Sequence, residues 1–141
     1  MPKKFQVTFD AADPGALAEF WAVALDYAVQ PPPDGFDSWE DFAVKVGIPR
    51  EKWNDVSAVI DPAGEGPRML FLRVPEGKTA KNRLHLDVSV GGEYDDGRWA
   101  RVEEHVGVLV KAGATVVEPR QDETSRWMVM LDPEGNEFCV Q

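Results

Sequence analysis

Apolar and polar residues alternate along Phe5-Gln-Val-Thr-Phe9, which predicts a strand with Phe5, Val7 and Phe9 on a core face and Gln6, Thr8 and Asp10 on the other. The period then changes from two to 3.6. Asp13 is a good N-cap, Pro14 suits the first helical position, and Leu17, Phe20, Trp21, Ala24 and Leu25 form one apolar stripe of a helix ending near Asp26. A brief strand near Ala28 and two longer ones, Val56–Ile60 and Arg68–Val74, complete a β-α-β-β-β pattern. Between them, from Gln30 to Asp55, Pro31–Pro33 and Asp34-Gly35 break regular structure, and Ser38–Val46 reads as a short helix within an insertion over one face.

The second half repeats this order. Leu84, Leu86, Val88 and Val90 face one way and His85, Asp87 and Ser89 the other. A helix from about Arg98 to Ala112 aligns Trp99, Val102, Val106, Leu109 and Val110 and stops at Gly113, a good left-handed C-terminal cap. Ala114–Val117, Arg126–Leu131 and Glu137–Val140 supply three more strands. The expectation is an α+β fold, residues 1–141 forming one domain of two tandem β-α-β-β-β modules, about 1–78 and 79–141. Neither module has an apolar face that it can bury alone, so a curved mixed sheet with a ligand cleft between modules follows.

Fifteen basic against 25 acidic residues leave a net charge of −10, which argues against nucleic acid as a partner. No apolar run approaches the roughly 18 residues needed to span a bilayer, and the N-terminus lacks a signal-peptide core, so no membrane association and a cytoplasmic location are expected. The single cysteine, Cys139, excludes an internal disulfide and is either a buried apolar residue or a functional thiol.

Three segments carry a resemblance: Gly66–Lys78, the string Lys81-Asn-Arg-Leu-His-Leu-Asp87, and the Asp132-Pro-Glu-Gly-Asn136 turn before the last strand. Together they resemble the glyoxalase-like branch of the vicinal oxygen chelate superfamily, related to glyoxalases and bleomycin-resistance proteins. The resemblance implies a small organic ligand and lyase or isomerase chemistry on one divalent metal (Zn, Ni, Mn or Mg) held by residues of the first and fourth strands of each module. On this mapping Gln6 and His85 take the first-strand positions. The fourth strand of module one offers only Phe71 or Leu72, without a carboxylate, and the last strand offers Cys139 where a glutamate is usual, with Glu137 at the same strand parity. The alternative is a metal-free module that sequesters an aromatic or drug-like compound, with Trp39, Trp53 and Phe71 in apolar contact and Thr8 and Asp87 on the polar face of the pocket. A homodimer is also implied.

Each candidate has a plainer reading. His85 is a metal ligand or acid/base, or a polar residue held by Asp87. Cys139 as a nucleophile needs a neighbouring base, for which His85 is the candidate; otherwise it is core. Trp21 and Trp99 are explained by their helix stripes, whereas Trp39 and Trp53 either stack on a ligand or pack the insertion down. Asp132, Gly135 and Asn136 are turn formers.

Overall fold

The computed structural model describes all of residues 1–141 and divides them into two compact units, Met1–Ala22 with Asp26–Gly77 and Val23–Leu25 with Lys78–Gln141. No helix is long and apolar enough to cross a membrane.

Unit one holds β1 (Val7–Ala11), the body of α1 (Pro14–Leu25), β2 (Ala28–Val29), α2 (Trp39–Val46), a 3₁₀ turn at Arg50–Lys52, β3 (Val56–Ile60) and β4 (Met69–Arg73). The Asp13 carboxylate accepts the amide of Ala16 at 3.2 Å, capping α1 as its Asp-Pro start predicts. The sheet order is β1-β4-β3-β2, with β1 and β4 parallel and the other pairs antiparallel. Phe9, Met69, Phe71 and Val59 line one face and meet the α1 stripe, where Phe9 lies edge-on to Trp21 at 5.2 Å and to Phe71 at 5.3 Å.

Unit two repeats the plan with β5 (Asp87–Val88), α3 (Arg98–Lys111), β6 (Thr115–Gln121), β7 (Arg126–Leu131) and β8 (Glu137–Val140) in the order β5-β8-β7-β6. Val102, Val106 and Leu109 of α3 are buried, as are Met128, Met130, Phe138 and Val140 of the sheet. By alternation, Trp127, Val129, Leu131, Glu137 and Cys139 take the opposite face, and the pairing of Asp87 with Cys139 adds Asp87 to it.

The two units also share a turn. Asp61, after β3, accepts the amides of Ala63, Glu65 and Gly66 at 2.7–3.0 Å, and Asp132, after β7, accepts those of Glu134 and Asn136 at 2.9 and 3.0 Å. Asp132 is buried and Gly135 takes φ +82°, so this motif sets hairpin geometry.

Three elements differ from the sequence expectation. β1 starts at Val7, and Phe5 is 72% exposed, because β4 supplies partners only from Met69 onward, with the Arg68 carbonyl receiving the Val7 amide. β5 is two residues long and Leu84 is 70% exposed, because β8 spans only four residues and pairs with Asp87 and Val88. β6 runs on to Gln121 past an irregularity between Val116 and Glu118, and it tolerates Pro119 because it is the edge strand of the sheet.

Candidate functional site

Two places in the fold collect functional side chains, one in each unit. In unit one the insertion covers the sheet face opposite α1. Ser38 caps α2 by accepting the Asp41 amide at 3.0 Å, and Gly47 ends the helix at φ +81°. The far end of the insertion is tied down by Asn54, whose amide oxygen accepts the Gly15 amide at 2.8 Å while its nitrogen donates to Asp13 at 2.8 Å. A methyl group on Gly15 would stand 2.9 Å from that oxygen, so glycine is what permits the approach.

Between the insertion and the sheet lies a cavity of about 340 Å³, lined among others by Trp39, Phe42, Ile48, Trp53, Val56 and Ala58. Each indole N–H is satisfied by a backbone carbonyl: Trp39 donates to Gln30 at 2.7 Å and Trp53 to Ile48 at 3.0 Å. The rings are thereby fixed with no polar edge left over, and Phe42 braces Trp39 edge-on at 5.8 Å. Arg68, Gln30, Lys52, Asn54 and Glu40 supply the polar part of the wall.

Trp39 and Trp53 thus stand in the cavity wall. Phe71 does not: it is 0% exposed and lies on the core face against Phe9, since strand alternation gives the other face to its chain neighbours Leu70 and Leu72. Thr8 is exposed and accepts from the Gln6 amide at 3.4 Å, and Gln6 presents its oxygen to Arg68 at 3.1 Å. For Arg68 the sequence offers one signal, its parity with Leu70 and Leu72 in the expected strand.

In unit two, one donor atom each from His85, Asp87 and Cys139 lies within 4.8 Å of the others. His85 Nδ1 is 3.2 Å from Asp87 Oδ1, and both side chains are about half exposed, whereas Cys139 is buried. Burial first, and the Asp87 charge and hydrogen bond second, push the Cys139 thiol up, so without a cation the sulfur stays protonated. One nitrogen, one oxygen and one sulfur suit zinc with an open fourth position, and suit oxygen-coordinated magnesium or manganese poorly. The donor set fits a zinc-type ion. Asp87 joins it through its cross-strand pairing with Cys139, a neighbour relation that exists only once β5 meets β8.

Glu137 is otherwise engaged. It accepts the Asn82 amide at 3.0 Å and pairs with Lys78 at 3.2 Å, and these contacts, the Asn82 bond foremost, hold its carboxyl at about 2 instead of 4.5.

A family model for the glyoxalase-like domain matches residues 6–141. No curated protein matches the sequence. Among solved structures the fold is similar to that of a glyoxalase/bleomycin resistance protein/dioxygenase family enzyme from Burkholderia phytofirmans PsJN (16% identity, 96% of this chain and 94% of that one, TM-score 0.63). It is also similar to the fosfomycin resistance protein FosX from Mesorhizobium loti (15% identity, 100% and 91%, TM-score 0.61) and to TioX from Micromonospora sp. ML1 (17% identity, 99% and 97%, TM-score 0.53). At these identities the likeness is one of fold. The family match over nearly the whole chain, on two β-α-β-β-β units of one strand order, places the protein in the glyoxalase-like domain family.

Proposed function

We propose that this protein is a small-molecule-binding member of its family whose ligand, a flat aromatic compound, enters the unit-one cavity and packs against Trp39 and Trp53. The observation that carries this reading is the cavity itself. Its 340 Å³ lies at the lower end of the roughly 300–1,000 Å³ typical of small-molecule sites, and its indoles are already immobilised by backbone hydrogen bonds. Fixed rings lose little side-chain entropy on contact with a ligand. A neutral bicyclic probe, 2-naphthamide, tests the reading by calorimetry: wild type binds it, and Trp53→Ala weakens binding by about tenfold or more. Failure of wild type to bind either this amide or the corresponding acid, 2-naphthoate, or unchanged affinity in a folded Trp53→Ala variant, overturns it.

The donor cluster of unit two supports a second reading, metal-dependent lyase or isomerase chemistry. His85, Asp87 and Cys139 would hold the ion, and a bound zinc would supply Lewis acidity towards a substrate oxygen. Protein purified without chelator is expected to carry one equivalent of zinc, lost in His85→Ala and Cys139→Ser. Elemental analysis checks this, and a wild type that takes up none from micromolar zinc removes the reading. Cytoplasmic residence and pairing into a homodimer rest on the sequence and the family resemblance.

A further inference from the structure

The wall of the unit-one cavity contains a cation whose charge nothing in the chain neutralises. Arg68 directly precedes β4, and strand alternation puts it with Leu70 and Leu72 on the face covered by the insertion. Its Nε–H donates to Gln30 Oε1 at 2.7 Å and its Nη1 to Gln6 Oε1 at 3.1 Å. A guanidinium has only donors, so both amides must present oxygen to it, and the remaining Gln6 nitrogen accordingly turns to Thr8.

Amide oxygens orient a guanidinium without cancelling its charge. By contrast Arg73, Arg101 and Arg120 each pair with a carboxylate. Two carboxylates lie near Arg68 along the cavity and the adjoining hollow, Glu40 and Asp34, and neither forms an ion pair with it. In a chain with 25 acidic residues and a net charge of −10, a half-buried, unneutralised arginine held by two neutral side chains is an arrangement with a cost. Nη2 has no partner in the chain, and Lys52 adds a second positive group to the same wall. An apolar wall of fixed rings beside a pre-oriented, unspent guanidinium matches a molecule that is aromatic at one end and anionic at the other.

Resting on the pocket reading above, we infer that the ligand is an aromatic acid: its rings pack on Trp39 and Trp53, and its carboxylate meets the guanidinium of Arg68. Carboxylate is a fitting anion because the free Nη2 can give one of its oxygens a charge-assisted hydrogen bond while the guanidinium charge meets its own. Gln6 and Gln30 are positioning residues, which keep Nη2 directed by occupying Nη1 and Nε.

Calorimetric titration with 2-naphthoate and its near-isosteric neutral amide, 2-naphthamide, tests this at neutral pH. Wild type should bind the carboxylate at least tenfold more tightly, with a preference that shrinks as salt is raised from 50 mM to 500 mM. Arg68→Gln should bind both probes with the affinity wild type has for the amide, and Arg68→Lys should recover part of the preference, because it restores charge without the planar fork. Equal affinities for the two probes in wild type overturn the inference while leaving the pocket reading intact, and so does a preference that survives in folded Arg68→Gln. The wild-type comparison stands even if the variants do not fold. Failure of both probes to bind overturns the pocket reading and this inference with it.

Discussion

Phe71→Ala is expected to lower the unfolding free energy by about 3–5 kcal/mol, the range for truncating a fully buried aromatic that leaves a cavity. Phe71 is 0% exposed and is packed edge-on to Phe9, which in turn meets Trp21. Removing this end ring therefore strips contacts from a chain of three aromatics that joins β4, β1 and α1. For a protein of this size the melting temperature should fall by roughly 10–20 °C. The naphthamide affinity of the fraction still folded should barely change, since the cavity lies on the other face of the strand. Urea denaturation monitored by circular dichroism, with calorimetric binding at low temperature, separates the two effects. A variant that melts like wild type but loses the probe would move Phe71 out of the core and into the pocket.

Acid should expose the tie between Glu137 and the segment that enters β5. With its folded value near 2 and an ordinary value of 4.5, Glu137 binds a proton more readily in the unfolded chain. The stabilisation is therefore fully present above about pH 5, declines as pH falls through 4.5, and is gone below about 2. Its size should be that of a charge-assisted hydrogen bond to the Asn82 amide with help from Lys78, about 1.5–3 kcal/mol. Glu137→Gln should accordingly be less stable than wild type at pH 7, and the gap should close on acidification. Parallel denaturation curves of the two proteins from pH 7 to 2.5 measure it; a gap independent of pH would show that the carboxylate does not make this tie.

Much of the candidate chemistry was legible at the level of residue type, and little of it at the level of partnership. Trp39 and Trp53 stand out because an aromatic residue in a loop over a cleft can stack on a flat ligand, with packing of the insertion as the equal alternative, and they line the cavity. His85 and Cys139 were paired through the family mapping, and their donor atoms do lie together. The roles of Arg68, Gln30 and Asn54 carry no local signal, because they depend on groups 38 to 62 residues away for Arg68 and 39 to 41 for Asn54. No local pattern encodes such contacts.

Period and punctuation along the chain determined which segments became helix and strand: the Asp13-Pro14 cap, the α1 stripe, the α3 stripe apart from the exposed Val110, and the strands Val56–Ile60, Arg126–Leu131 and Glu137–Val140 stand where hydrophobic spacing puts them. These features are local, since helix and strand bury one face at a fixed repeat whatever the partner. Tertiary structure decided the rest. β1 and β5 begin late because a strand lasts only as long as its neighbour offers hydrogen bonds, Phe71 turned inward because β4 buries the face that meets α1, and Asp87 became a neighbour of Cys139 because β8 pairs with β5 in parallel. A side chain's role in a site is set by what pairing brings opposite it, and pairing between distant segments is settled by packing.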